Sequence, residues 1–176
     1  MKTTLILVAI MSLFSACSSK KDLPPLQTVD HVDIQKFMGS WNVIANIPTI
    51  IEKGAFNAIE NYKWNEEKKR IDVKFTFNAD SFDGERKEYP QKAFIHNKDT
   101  NAEWRIQFFW PLKFAYLILH VDEAYSYCVI GVPDRDHVWI MSREKTMNET
   151  LYQKLIADLK MKGFDTSLIQ KVPQKI

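Results

Sequence analysis

Ile71-Asp-Val-Lys-Phe-Thr-Phe77 alternates apolar and polar side chains without a break. Successive side chains of a β-strand point to opposite faces of the sheet, so this alternation predicts a strand with one face in the core and one in water. Trp104-Arg-Ile-Gln-Phe108 shows the same pattern farther along the chain. These two stretches predict a mainly β fold.

Short β-rich segments with turn-forming residues between them extend this pattern over most of the chain. We predict eight strands, at residues 41–47, 57–64, 71–77, 85–96, 104–108, 114–121, 125–132 and 137–143. No long crossover separates them, and strands joined only by hairpins form an antiparallel meander. Because a meander of eight strands can close on itself and remove both exposed edges, we predict an all-β fold, an eight-stranded antiparallel up-and-down barrel.

One helix is predicted after the last strand. Thr146-Met-Asn-Glu149 has the spacing of a capping box, in which the Thr hydroxyl and the Glu carboxylate satisfy backbone N–H groups. An apolar stripe of Leu151, Leu155 and Leu159 follows, and Gly163 stands where a C-terminal cap is expected. We expect the stripe to pack on the outside of the barrel. A partner-binding or membrane-surface helix is the alternative.

Composition and charge exclude several classes of protein. The chain has 176 residues, 45% hydrophobic and 26% charged, as in one globular domain. A formal net charge of only +2 argues against a nucleic-acid partner. Two cysteines cannot build a multi-bridge scaffold. Cys128, followed by Val129 and Ile130, is predicted to be a buried apolar residue rather than a reactive thiol.

The sequence also lacks the common motifs of enzymes. Its four histidines do not have the spacing of metal ligands, and no Gly-x-Ser-x-Gly motif or Gly-rich phosphate loop occurs. Only His120, in an apolar strand, merits consideration as a base or haem ligand. We therefore expect no catalysis, no metal and no cofactor.

The N-terminus predicts export. A basic residue precedes an apolar stretch that is too short to span a bilayer, for which about 20 residues are needed, so residues 1–16 are predicted to be a signal peptide. Residues 17–32 include Pro24-Pro25 and are predicted to be a tether with little structure of its own. Residues 33–176 are then the barrel domain.

Two motifs near the ends of the predicted barrel are informative together. Lys36-Phe-Met-Gly-Ser-Trp41 lies at the first strand, and Pro133-Asp-Arg-Asp-His-Val-Trp-Ile-Met-Ser-Arg143 lies at the last. With their spacing, these motifs resemble those of the lipocalins, specifically the bacterial outer-membrane lipoprotein lipocalins. The resemblance implies a closed barrel floor, where Gly39 allows tight passage of the chain, Trp41 plugs the end and Arg143 stacks on the indole.

Small residues before Cys17 resemble the lipobox of bacterial lipoproteins. The resemblance implies that cleavage exposes Cys17 and that acyl chains such as palmitate are attached to it. The protein would then be anchored by lipid to the periplasmic face of the bacterial outer membrane. A simple secretory signal with an unmodified Cys is the alternative.

An eight-stranded barrel has room for side chains or for one small ligand. If the alternating apolar faces point inward, the cavity is apolar and fits acyl chains. The residues predicted to line it are Val43, Ala45, Val73, Phe75, Trp104, Ile106 and Phe108. A fully packed barrel without a ligand is the alternative, and the lipocalin resemblance favours the ligand.

Alternation of the turns between the two ends of such a barrel predicts its entrance. Turns one, three, five and seven lie at the mouth, where turn one carries Ile50 and Ile51 and turn five carries Trp110. Exposed apolar residues at one end predict a binding or membrane-contact surface, unless the loops fold inward and cap the barrel. The basic residues predicted to meet a phosphate or carboxylate head group there are Lys53, Lys113 and Arg135.

The function predicted from the sequence is binding and transport of a fatty acid, lysophospholipid or similar amphiphile by a membrane-anchored protein. The alternative is a lipid-anchored protein-interaction module with a packed barrel. Expected partners are the lipid ligand and the membrane, but not nucleic acid. The sequence leaves monomer and homodimer both open.

Overall fold

A computed structural model describes residues 23–176 and shows a closed antiparallel barrel. Its strands pair in chain order, and β1 pairs with both β2 and β8, which closes the wall. The strands are β1 (Gly39–Ile47), β2 (Ala55–Asn65), β3 (Arg70–Ala79), β4 (Arg86–Ile95), β5 (Glu103–Gln107), β6 (Phe114–Val121), β7 (Tyr127–Gly131) and β8 (Val138–Ser142). The predicted eight-stranded up-and-down barrel is confirmed.

Four short elements and one long helix complete the described chain. The long helix, α2 (Glu149–Met161), follows the last barrel strand. The others are α1 (Ile34–Phe37), which precedes β1, the two-residue strand β9 (Gln170–Lys171), and two 3-10 turns at Ile50–Glu52 and Thr166–Leu168. β9 pairs with β1 at Ala45 and Asn46.

The two ends of the barrel are called the floor and the mouth. α1, the start of β1 and the turns after β2, β4 and β6 lie at the floor, because consecutive strands are antiparallel. The mouth has four loops, which we number in chain order: the first, 48–54; the second, 80–85; the third, 108–113; and the fourth, 132–137.

Two apolar clusters form the core. The inner cluster fills the barrel and includes Trp41, Phe75 and Trp104. The outer cluster joins α2 to the wall, where Leu155 and Leu159 pack with strand residues. The stripe of α2 therefore packs on the outside of the barrel, as predicted.

The helix ends agree with the sequence prediction at one end only. Asn148, rather than Thr146, is the N-cap, and its side chain accepts hydrogen bonds from the N–H groups of Thr150 and Leu151. The capping-box prediction is wrong because the first helical residue is Glu149, so the cap must directly precede it. Gly163 has φ +87° just beyond the helix, the left-handed conformation that favours glycine.

The folded domain begins before residue 33, the boundary predicted from the sequence. Residues 23–32 form no helix or strand, but they lie against the barrel. The N–H of Val32 donates to Thr100 O (2.8 Å), the N–H of Val29 donates to Ile118 O (3.0 Å), and Val32 is fully buried. The boundary at residue 33 is therefore too late. Residues 23–32 have no regular secondary structure, as their prolines lead one to expect, but hydrogen bonds and buried apolar side chains hold them on the barrel. The predicted signal peptide and Cys17 lie outside the described residues.

The C-terminal segment completes the wall beside β1. The two strands β1 and β2 pair at the floor half, from Gly39–Asn42 to Ile59–Tyr62. Toward the mouth, Gln174 Nε2 donates to Val43 O (2.8 Å) and to Ala58 O (3.2 Å), one acceptor on each strand. The tail thus bridges the place where β1 and β2 separate.

Candidate functional site

The floor is closed by a stacked and hydrogen-bonded pair. Trp41 is fully buried, and its Nε1 donates to Phe37 O (2.9 Å). The Arg143 guanidinium carbon lies 3.7 Å from the centroid of the Trp41 ring. This guanidinium also donates to the backbone oxygens of Lys36, Phe37, Met38, Ser40 and Tyr125. Arg143 therefore ties α1, β1 and a floor turn together.

Most of the predicted lining residues lie in the inner cluster. They are Val43, Val73, Phe75, Trp104 and Ile106, each at most 3% exposed. Phe75 and the neighbouring Phe77 both contact Tyr89, with ring centroids 6.4 and 5.9 Å apart. The interior therefore presents apolar surface along its height.

Two predicted lining residues lie elsewhere. Ala45 belongs to the outer cluster, because a bulge between Val43 and Ala45 shifts the register of β1 against β8 and reverses the alternation. Phe108 follows the end of β5, is 37% exposed and contacts Phe114 at the mouth. Both corrections reflect the same limit, since alternation assigns a face only within an unbroken strand.

Sequence reasoning missed a polar group inside the barrel, the inner polar cluster of Glu60, Tyr62 and Tyr116. The Tyr62 hydroxyl donates to Glu60 Oε2, Tyr116 donates to the same oxygen (3.0 Å), and the two phenol oxygens are 2.6 Å apart. All three residues are at most 4% exposed. The signal was available, because Ala58, Glu60 and Tyr62 alternate along a predicted strand.

Burial controls the protonation of this cluster. Desolvation raises the pKa of Glu60 from 4.5 to about 8, with a smaller contribution from the Glu52 carboxylate, although the hydrogen bond from Tyr116 opposes the change. Burial likewise raises the pKa of the Tyr116 phenol. At neutral pH, Glu60 is therefore mainly a neutral acid, which is less costly inside an apolar barrel than a carboxylate.

Glu52 is a second interior acid, nearer the mouth. Its Oε1 accepts from Trp139 Nε1 (2.7 Å), and its Oε2 accepts from the N–H of Thr49 (2.7 Å). Glu52 is only 6% exposed, although it belongs to the first mouth loop. That loop therefore sends one acidic side chain inward.

The apolar side chains of the first and third mouth loops point to solvent. Ile50 is 87% exposed and Trp110 is 85% exposed, the two largest values among the large apolar side chains of these loops. Ile51, Phe109 and Leu112 are exposed beside them. We call these five residues the mouth patch. Lys53 and Lys113 are exposed in the same loops, and Lys113 Nζ lies 4.0 Å from the Phe94 ring centroid.

A barrel of this topology, with an apolar interior and a Trp–Arg floor, agrees with the comparison to known protein families. Residues 32–174 match the family described as a lipocalin-like domain. The chain is a lipocalin. Lipocalins are non-enzymatic proteins that bind small hydrophobic ligands, so the predicted absence of catalysis agrees with the family.

Relatives of this lipocalin occur in bacteria and animals. Outer membrane lipoprotein Blc of Escherichia coli (strain K12) is 27% identical over 155 residues, 88% of this chain and 86% of that protein. Apolipoprotein D of Bos taurus is 30% identical over 79% of this chain and 77% of its own. The structure of insecticyanin from Manduca sexta shows the same fold, with a TM-score of 0.67, 20% identity and 85% of each chain covered.

Arg135 of the lipocalin is not available to a ligand head group. It is 4% exposed, and its guanidinium donates to three backbone oxygens, those of Pro24 (2.6 Å), Lys162 (2.7 Å) and Pro133 (3.1 Å). The prediction for Arg135 is therefore wrong. A basic residue in a turn often faces water, but here the N-terminal segment and the end of α2 cover it.

Cys128 and His120, the two residues weighed as reactive groups in the sequence, both lie in partly or fully buried environments. Cys128 is fully buried in the inner cluster, and burial raises the pKa of its thiol. His120 stacks on Tyr127 outside the inner cluster, with ring centroids 5.2 Å apart, and burial lowers its pKa. Within residues 23–176, no group of three or more His, Cys, Asp or Glu side chains is placed to hold a metal ion. The helices of the same range are too short or too polar to cross a bilayer.

Proposed function

We propose that this lipocalin is a membrane-anchored carrier of a fatty acid, lysophospholipid or similar amphiphile. The observation that carries the proposal is the apolar barrel interior, which includes Val73, Phe75, Trp104 and Ile106, together with exposed apolar side chains on the loops at its mouth. Such an arrangement suits a long acyl chain, because each buried CH₂ group contributes about 0.8 kcal/mol.

The charges favour one orientation of the ligand. Glu52 and Glu60 lie inside the barrel, and neither forms a salt bridge among those of the described residues. An anionic head group would be repelled there, particularly when Glu60 is ionised. Lys53 and Lys113 at the mouth offer the opposite charge. The acyl chain therefore enters first, and the head group stays between the first and third mouth loops.

Anchoring belongs to the same proposal. Small residues precede Cys17 as in a lipobox, and several relatives are outer membrane lipoproteins. Acyl chains on Cys17 would hold the protein on the periplasmic face of the outer membrane, since two chains make detachment very unfavourable. Replacing Cys17 with Ala should leave an uncleaved or unacylated protein that no longer partitions with outer membranes. Unchanged partitioning with outer membranes would contradict the anchor.

Ligand binding is tested by titrating the purified protein with a fluorescent fatty acid and a fluorescent lysophospholipid. Lys53→Ala with Lys113→Ala should weaken binding of both probes, because each carries a negative group. Lys68→Ala is the matched control, since Lys68 is an exposed lysine in a floor turn. An uncharged monoacylglycerol should bind equally to all three proteins.

Mass spectrometry of a lipid extract identifies what the protein carries from the cell. We expect an amphiphile with one or two acyl chains in a near-stoichiometric amount. Absence of lipid in the extract, together with no binding of either fluorescent probe, would reject the carrier. That result would favour the protein-interaction module with a packed barrel.

A further inference from the structure

The N-terminal segment runs from the mouth to the floor. At the mouth, Pro24 O accepts from Arg135 of the fourth loop (2.6 Å). Leu26 packs against the outer cluster, and the N–H of Val32 bonds Thr100 in a floor turn. Leu23 lies beside Gly163 at the mouth end of α2, where a Cβ on that glycine would clash with the Leu23 side chain. The described chain therefore begins at the mouth.

Covalent reach then limits where an anchor on Cys17 can lie. Six residue steps separate Cys17 from Leu23, and they span at most about 22 Å when fully extended. β2 has 11 residues, which at about 3.4 Å each and a tilt of about 40° cover about 28 Å of barrel height. α1 adds further thickness beneath the floor. The floor is thus out of reach of the membrane that holds the anchor.

We propose that the mouth patch docks on the lipid surface to which the protein is anchored, so that the barrel opens toward that membrane. This inference rests on the proposed function, because it requires the acylated Cys17. Because residues 23 and 24 lie at the mouth, an acylated Cys17 would bring lipid, rather than a second protein, to the patch. Ile50 and Trp110, at 87% and 85% exposure, are the side chains that enter the bilayer interface.

The charges around the mouth agree with a tilted contact. The first and third loops carry Lys53 and Lys113 beside the patch, and the second loop carries exposed acids, namely Asp80, Asp83 and Glu85. Around the barrel, the second loop is diagonally opposite the fourth, where the N-terminal segment begins. The fourth loop has acids of its own, Asp134 and Asp136, beside the lysine-containing end of α2. The first and third loops are likewise diagonally opposite each other, so a tilt toward the fourth loop lets both apolar loops reach the lipid while the acidic second loop stays in water.

This orientation gives the ligand a short path. A lipid that leaves the bilayer beside Ile50 or Trp110 enters the barrel without crossing water with its acyl chain exposed. Because the hydrogen bond from Arg135 holds Pro24 at the mouth, the short link from Cys17 prevents the barrel from turning its floor to the membrane.

The test uses the full acylated chain on vesicles of phosphatidylethanolamine and phosphatidylglycerol. An environment-sensitive fluorophore is attached to Leu112→Cys at the mouth or to Lys68→Cys at the floor. Cys128 is buried and does not compete for the label. We expect vesicles to cause a blue shift at position 112 and none at position 68. Adding Ile50→Ser and Trp110→Ser to the Leu112→Cys protein should abolish the shift while cosedimentation persists.

Each other outcome has a separate meaning. A blue shift at position 68, or at neither position, in protein that cosediments and binds the fluorescent fatty acid would overturn the orientation and leave the carrier intact. Loss of cosedimentation would reject the anchor and the orientation with it. Docking of the mouth without binding of any lipid probe would support the orientation and reject the carrier.

Discussion

The floor and the mouth of this barrel use the same residue types, tryptophan and arginine, in different environments. Each end carries an indole and an arginine that donates to backbone oxygens, but Trp41 is fully buried under Arg143, whereas Trp110 is 85% exposed and Arg135 lies apart from it in the neighbouring fourth loop. The floor residues therefore stabilise the fold, whereas the mouth residues leave apolar surface exposed to water. A residue type alone does not reveal whether it stabilises the fold or serves the ligand, because the environment decides.

The largest expected effect is at the floor. Trp41→Ala should lower the free energy of unfolding by about 3–5 kcal/mol, because it leaves a large cavity and removes the partner of Arg143. Trp110→Ala is the matched control and should change it by less than about 0.5 kcal/mol. Urea denaturation of both variants measures the difference. Equal midpoints would show that the two ends do not differ in the way described.

Arg143→Ala should have a smaller effect of about 2 kcal/mol. The variant loses a cation–π contact worth about 0.5–2 kcal/mol and the hydrogen bonds to the floor carbonyls, some of which water can replace. Thermal unfolding should show this loss, with binding of the fluorescent fatty acid retained at temperatures where the variant is folded. A variant of normal stability that has lost its ligand would assign Arg143 to the site instead.

Glu60 lies between the two ends and makes stability depend on pH. Folded protein holds the Glu60 proton up to about pH 8, whereas the unfolded chain releases it near pH 4.5, so folding takes up a proton between these values. The free energy of unfolding should therefore fall as pH rises from 5 to 8, by up to about 1.4 kcal/mol per pH unit from this group, and level off above. Glu60→Gln should flatten that slope. Identical slopes for the variant and the wild type would argue that Glu60 is ionised in the folded state.

The smallest effect on stability is expected at the mouth. Replacing Ile50, Ile51 and Trp110 together with Ser should change the free energy of unfolding by less than about 0.5 kcal/mol, because surface changes away from packed features cost little. Transfer of a fluorescent fatty acid from vesicles should nevertheless become slower or weaker. The reverse result, normal transfer with a large loss of stability, would show that these loops belong to the core.

Sequence patterns predict the parts of this molecule that repeat. Alternation in Ile71–Phe77 predicts a barrel strand, and the apolar stripe of α2 predicts the side of the helix that packs on the barrel. Both predictions succeed because, in a regular strand or helix, the spacing of residues determines which face they occupy. The inward position of Glu60 follows from the same alternation, but the preference for apolar lining residues concealed it. Polar side chains inside a barrel can be recognised only if the pattern is applied to every residue type.

Irregular geometry accounts for the predictions that failed. No residue type near Ala45 indicates the bulge in β1. The end of β5 at Gln107, which leaves Phe108 outside the strand, depends on the conformation of the following loop. Arg135 and the segment at Pro24 are buried by each other, across a sequence separation of 111 residues. Contacts of this kind depend on the complete tertiary structure, so no local window of sequence contains them.

The amide of Gln174 has a consequence for the order in which the barrel is made. It donates to Val43 O and Ala58 O across sequence separations of 131 and 116 residues, so these two bonds between β1 and β2 can form only after residue 174 has been synthesised. A chain that emerges from its N-terminus passes through a stage with this seam unsealed, and contacts of such long range form slowly. The Gln174 side chain thus fastens this seam only after all eight barrel strands have been made.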